Sequence, residues 1–137
     1  MGATETKEVY DFLKECGTFF IATVEGGDQA RVRPFGALAL YEDKIYIQTG
    51  KKKNCYQQMV AYPKVEICAM NKNGSWIRVA GELVPDERIE ASEYMLEQSP
   101  SLRSMYAAGD GNCIVLYFKS GKATISSFTA PPKEIEF

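Results

Sequence analysis

Three short segments carry the residues that could do chemistry. The first is Arg31-Val32-Arg33-Pro34-Phe35-Gly36. In an extended chain, Arg31, Arg33 and Phe35 fall on one face, and Val32, Leu38 and Leu40 fall on the other, the predicted core face. Pro34 has no N–H to give a ladder, so it marks an edge or a bulge. Gly36 has no side chain and lets a flat group approach the backbone. Taken alone, these six residues read as a solvated basic edge guarded by its proline. The second segment is Gly50-Lys51-Lys52-Lys53-Asn54, three lysines between a strand end and a helix start. A helix N-terminus carries partial positive charge, so the lysines repel it and one another unless an anion sits among them. Free backbone N–H groups and ammonium groups would share a phosphate there. A salt-screened lysine loop explains the segment equally well. The third is Trp76 with Arg78, which alternation places on one face with Ala80 and Glu82. Such a pair can stack on an aromatic ligand, though a lone tryptophan is more often core or subunit interface.

What is missing narrows the chemistry further. The chain has no histidine. That removes Ser-His-Asp and Cys-His catalysis, histidine metal sites and histidine haem ligation. In a catalyst of this composition something other than an imidazole must carry the reaction, and a bound cofactor is the natural candidate. Sixteen basic and 18 acidic residues leave a net charge of −2, whereas a nucleic-acid surface usually brings a basic excess. The four cysteines are widely spaced with no C-x-x-C pair, as suits free thiols in a reducing compartment. The N-terminal stretch has no apolar run for a signal peptide or a membrane span. A cytoplasmic protein without nucleic-acid or membrane partners is expected.

These segments must be held by the elements around them. Val9, Phe12, Leu13 and Cys16 recur at helical spacing, with Thr4 or Thr6 as cap and Gly17 as stop. Residues 18–24 and 30–40 read as strands about the Gly26-Gly27-Asp28 turn, and 44–49 as a third. Residues 52–62 predict a helix with Tyr56, Met59 and Val60 inward, stopped by Pro63. Strands follow at 64–70 and 75–84. Asp86 is the expected cap of a helix burying Ala91, Tyr94 and Met95. Ser99-Pro100 starts a shorter one with Leu102, Met105 and Tyr106 inward. Residues 112–118 and 122–128 predict a closing hairpin about Ser120-Gly121. Tight turns imply antiparallel pairing, and the lack of continuous β-α-β alternation argues against a doubly wound fold. The 137 residues predict a single domain, mainly β with flanking helices, folded as a barrel.

The order of these segments is similar to that of the pyridoxamine 5'-phosphate oxidase-like split-barrel family, especially its short bacterial FMN-binding members. The resemblance rests on A-R-V-R-P-F-G, on Y-I-Q-T leading into K-K-K-N and a helix ending in Y-P-K-V, on W-I-R-V-A-G-E-L, and on K-A-T-I-S-S-F. Together they span roughly residues 10–130. The resemblance implies an antiparallel split β-barrel, an FMN cofactor, and a homodimer with the flavin in a cleft between the two chains. It implies cofactor contacts from Arg33, Pro34, Phe35 and Gly36, from Gln48 and Thr49, and from Lys52, Lys53 and Asn54 at the phosphate turn. Trp76 would reach the flavin from the partner subunit. The usual Arg-Lys pair of that turn is replaced here. Leu38 stands where the true oxidases carry a lysine for the substrate phosphate, and their histidine-bearing C-terminal extension has no counterpart. The expectation is therefore an FMN-dependent oxidoreductase that is not a true pyridoxamine phosphate oxidase. A non-catalytic flavin carrier and a reductase using the deazaflavin F420 are the alternatives.

Overall fold

The computed structural model describes residues 2–137. Helix α1 (Ala3–Cys16) buries Val9 and Leu13. Its start is held by the Glu5 carboxylate, which accepts the Gly2 N–H at 3.1 Å, so neither Thr4 nor Thr6 caps it. Thr6 instead donates its hydroxyl to the Gly2 carbonyl. Gly17 ends the helix at φ 83°, a left-handed conformation that favours glycine.

Strands β1 (Phe19–Glu25) and β2 (Gln29–Phe35) form a hairpin. The expected strand over 30–40 is broken at Gly36-Ala37. Beyond the break, β3 (Leu38–Tyr41) leaves β1 and pairs with β4 (Lys44–Gly50). The break resets the alternation, so Val32 does not share the core face with Leu38. Leu38 is buried at 3% exposure, whereas Val32 is 68% exposed. Helix α2 (Asn54–Ala61), strands β5 (Lys64–Met70) and β6 (Trp76–Asp86), helix α3 (Ile89–Gln98), a 3₁₀ turn (Pro100–Ser104), β7 (Cys113–Ser126) and β8 (Lys133–Glu136) complete the chain. The sheet is antiparallel in the order β2-β1-β5-β6-β7-β4-β3, with β8 added to β7. It coils into a barrel but does not close, because β2 and β3 do not pair. The split lies at Gly36-Ala37.

The closing hairpin is corrected. Ser120-Gly121 is not a turn, since β7 runs through it as one strand of 14 residues. Gly121 pairs with Gly81 beside a register shift at Glu82/Leu83. A Cβ on Gly81 would lie 2.5 Å from the Ser120 carbonyl oxygen, and one on Gly121 would lie 2.5 Å from the Phe137 ring. These glycines mark close packing.

The barrel core joins Phe19, Ile21, Ile47, Ile67, Val79 and Leu116 to Val9 and Leu13 of α1. A second apolar layer lies between α3 and the outer side of β3, β4 and β7, from Ala91, Met95, Tyr46 and Val115. Strand β4 is therefore covered on both sides, which explains its near-continuous burial. Asp86 ends β6 and does not cap α3 directly. It accepts hydrogen bonds from the Arg88 N–H and the Tyr46 hydroxyl, and Arg88 at the α3 N-cap also pairs with Glu42. The Arg88 guanidinium keeps the Asp86 carboxyl below its ordinary value. In α2 the buried residues are Cys55, Gln58 and Met59, and Val60 faces outward. Among the described residues no helix is long and apolar enough to cross a membrane, no acidic, cysteine or histidine cluster could hold a metal, and all four cysteines are free.

Candidate functional site: a cleft at the split of the barrel

At the break between β2 and β3 the structure brings together Pro34, Phe35, Gly36, Gln48, Thr49 and Lys53 around a cleft of about 150 Å³. Phe35 is held from below by Phe19, ring centroids 5.9 Å apart. A Cβ built on Gly36 would meet nothing within 4 Å, so open space lies beside that backbone. Thr49 is buried with its hydroxyl 3.3 Å from the Cys55 sulfur. Gln48 donates to the Thr49 carbonyl at 2.8 Å and contacts the Cys113 sulfur. Burial pushes the Cys113 thiol above its ordinary value, so it stays protonated and is no nucleophile at neutral pH.

The far wall was not expected as part of a site. Leu102, Met105 and Tyr106 line it. Helical spacing assigned all three to the interior, yet Met105 is 68% exposed. Its position after the last 3₁₀ residue turns it out beside the cleft. Only an apolar side chain that fails to find the core signals such a wall, and the sequence does not show where the core stops.

The lysine turn differs from its expected form in one respect. The N–H groups of Lys51, Lys52 and Lys53 are not free for an anion. The first two are bonded to the Asn112 carbonyl and the Asn112 Oδ1, and the third to the Gly50 carbonyl. Lys51 also pairs with Glu87 at 2.7 Å. At the start of α2 the Tyr56 N–H bonds to Lys53, and those of Asn54 and Cys55 have no acceptor among the described residues. Anion-binding capacity therefore sits one step along, at the first α2 turn beside the Lys53 side chain.

Four of the expected residues lie off the cleft lining. Arg33 is half-buried, and its guanidinium donates to Thr23 at 2.7 Å, Gln58 at 2.8 Å and the Ile21 carbonyl. Among the described residues it has no acid partner. Gln58 in turn donates to Glu25. This network, invisible to periodicity, ties α2 to β1 and β2. The Lys52 side chain is exposed and outside the lining. Asn54 borders a separate groove with Glu25 and Gln58. Trp76 lies on the outer sheet face, its ring 5.2 Å from that of Phe128.

An open antiparallel barrel with its cleft at the split can be compared with known proteins. The profile of pyridoxamine 5'-phosphate oxidase matches residues 5–122. The chain belongs to the pyridoxamine 5'-phosphate oxidase-like family. Its structure is similar to that of a NimC/NimA family protein from Clostridium acetobutylicum, at 49% identity and TM-score 0.95, covering 98% of this chain and 94% of that one. A pyridoxamine 5'-phosphate oxidase-related, FMN binding protein from Nostoc punctiforme shares the fold at 13% identity and TM-score 0.64, covering 98% and 93%. A heme binding protein from Mycobacterium smegmatis shares it at 10% identity and TM-score 0.75, covering 98% of this chain and 57% of that one. No curated protein matches the sequence.

The residues present fit FMN. The open Gly36 backbone, the Phe35 ring and Lys53 line the cleft, and the first turn of α2, with its unbonded N–H groups, begins at the residue after Lys53. A half-buried arginine without a counter-ion lies under the same helix.

Proposed function

We propose that the protein binds FMN by its phosphate in a cleft completed by a second copy of the chain, and that it works as an FMN-dependent oxidoreductase of the cytoplasm. The observation that carries this reading is the convergence of Phe35, Gly36, Gln48, Thr49 and Lys53 at the split. Ligand pockets usually measure about 300–1,000 Å³, so 150 Å³ holds part of a flavin nucleotide and asks for further walls. The outer face of β2, β1, β5 and β6 can supply them. Register places Pro34, Phe20 and Cys68 in one row and Met70 beside Trp76 in another. Val32, Phe20, Met70 and Phe128 are all exposed there. Such a face is self-complementary in a two-fold dimer, and it would bring Trp76 to the partner's flavin.

Bound FMN would supply the hydride and electron chemistry. The chain would anchor the phosphate at Lys53 and the α2 N-terminus, pack Phe35 and the Gly36 backbone against the ring, and exclude water with Leu102 and Met105. The FMN named for the Nostoc punctiforme neighbour agrees with this. The haem named for the Mycobacterium smegmatis neighbour would ask for an axial ligand, which in a chain without histidine would have to be a cysteine, methionine or tyrosine. Pyridoxamine 5'-phosphate is not the proposed substrate. Leu38, at the position of the family's phosphate lysine, is packed in the core, and a phosphate without a paired cation would cost several kcal/mol.

The test is a visible spectrum of the protein with added FMN and a titration at micromolar protein. The expected result is saturable binding with a perturbed flavin band, and no binding would sink the proposal. The loaded protein given pyridoxamine 5'-phosphate and oxygen should form no aldehyde. Turnover near about 1 per second would place it among the true oxidases.

A further inference from the structure

Tyr106 follows the 3₁₀ turn and lines the cleft. Its side chain is all but buried, at 8% exposure. Its hydroxyl makes no hydrogen bond among the described residues, although every fully enclosed side-chain oxygen or nitrogen has a partner. The phenolic oxygen is therefore not fully enclosed, and the protein leaves its donor proton unused. A ligand acceptor in the cleft would take that proton in place of water.

Gly50 shows where that oxygen points. A Cβ built on Gly50 would stand 3.1 Å from the Tyr106 oxygen and 3.1 Å from both Nδ2 and Oδ1 of Asn112. Glycine thus lets the phenol and the carboxamide converge over the first residue of the lysine turn. The Asn112 Oδ1 is already committed to the Lys52 N–H at 3.0 Å, and the Asn112 carbonyl to the Lys51 N–H at 2.7 Å. Asn112 is itself held by Asp110, whose carboxylate accepts the N–H groups of Ala107, Asn112 and Cys113. The backbone of this loop is tied to the turn from both sides, so the Tyr106 hydroxyl is pre-positioned at the lysine end of the cleft.

We propose that Tyr106 is a phosphate-binding residue. Its hydroxyl donates to a phosphomonoester oxygen that Lys53, a lining residue of the same cleft, also holds. The inference rests on the FMN reading and adds a contact from a segment outside the resemblance motifs. A hydrogen bond to a charged oxygen is among the stronger ones, and its loss should be felt about tenfold in affinity.

The experiment titrates wild type, Tyr106→Phe and Gly50→Ala with FMN and with riboflavin, which has no phosphate. It also compares the ³¹P resonance of bound FMN in wild type and Tyr106→Phe. Tyr106→Phe keeps the ring and should fold as wild type, as a thermal melt without ligand checks. It should bind FMN roughly tenfold more weakly, leave riboflavin unchanged and move the ³¹P resonance. Gly50→Ala keeps the hydroxyl but crowds it, and should also weaken FMN more than riboflavin. Full FMN affinity in Tyr106→Phe, equal losses for both ligands, or an unmoved ³¹P resonance would each overturn the phosphate contact. Failure of the FMN reading would show differently, as a wild-type protein that binds neither flavin.

Discussion

Lys52 and Lys53 are adjacent in sequence and identical in chemistry, yet the fold gives them different surroundings. Lys53 is the N-cap of α2 and lines the cleft. Lys52 has its N–H fastened to Asn112 and its side chain outside the lining. The two should separate by mutation. Lys53→Ala is expected to weaken FMN roughly tenfold and to leave riboflavin almost unaffected, because it removes a charge-assisted hydrogen bond to the phosphate. Lys52→Ala should change either ligand by less than about threefold, as an exposed and screened charge does. Parallel isothermal titrations of both variants check this. Equal effects of the two lysines would show the cluster acting as a diffuse field. Arg33 makes the complementary case. Its three protein acceptors are neutral, so its charge is left to act on whatever anion sits over α2.

Among the elements, β7 departs furthest from its expected form. Ser120-Gly121 has the composition of a hairpin turn, and the flanking segments alternate as two strands would. The chain instead passes straight through, because β6 continues alongside it from Trp76 to Asp86. The facing glycines leave room for the Ser120 carbonyl and for Phe118 and Phe137, whose rings lie 6.2 Å apart. Gly81→Ala would place its Cβ 2.5 Å from a backbone oxygen that cannot rotate away. It should destabilise the protein by about 1–3 kcal/mol, the usual penalty of overpacking. The measurement is chemical denaturation, where a shifted midpoint with an unchanged slope is expected. An unshifted midpoint would mean that the pairing of β6 with β7 at this level is looser than it stands.

For the whole molecule, the cleft and the exposed sheet face belong together. The cleft of one chain is too small for a flavin nucleotide, and the outer face displays Phe128 at 89% exposure. Isolated exposed apolar residues need no explanation, but a continuous patch does. The expectation is a homodimer whose dissociation also releases FMN. Val32→Asp puts a charge on the edge strand of that face and is not itself part of the cleft lining. It should shift sedimentation toward the monomer and weaken FMN and riboflavin together, because it removes the partner's wall and leaves the phosphate anchor in place. A monomeric variant with full FMN affinity would refute the shared site.

The sequence alone determined part of the cleft lining and most of its frame. Hydrophobic periodicity located α1, and alternation located β1, β5 and the shared face of Trp76, Arg78 and Ala80. Both are local consequences of side-chain direction along a helix or a strand. The order of the motifs placed Phe35, Gly36, Gln48, Thr49 and Lys53 in one family site. What the tertiary structure decided is of another kind. Whether Gly36-Ala37 continues a strand or splits a barrel depends on which partner β3 finds, and that partner, β4, lies beyond the Glu42-Asp43 turn. Whether the lysine-turn N–H groups are free depends on Asn112, some sixty residues away in the chain. Tyr106 could be read as an interior residue from its spacing, and its burial bears that out. Only the tertiary structure shows that its hydroxyl lies beside Gly50 without a protein partner, because a hydrogen bond that is absent is a property of the assembled neighbourhood and leaves no local pattern.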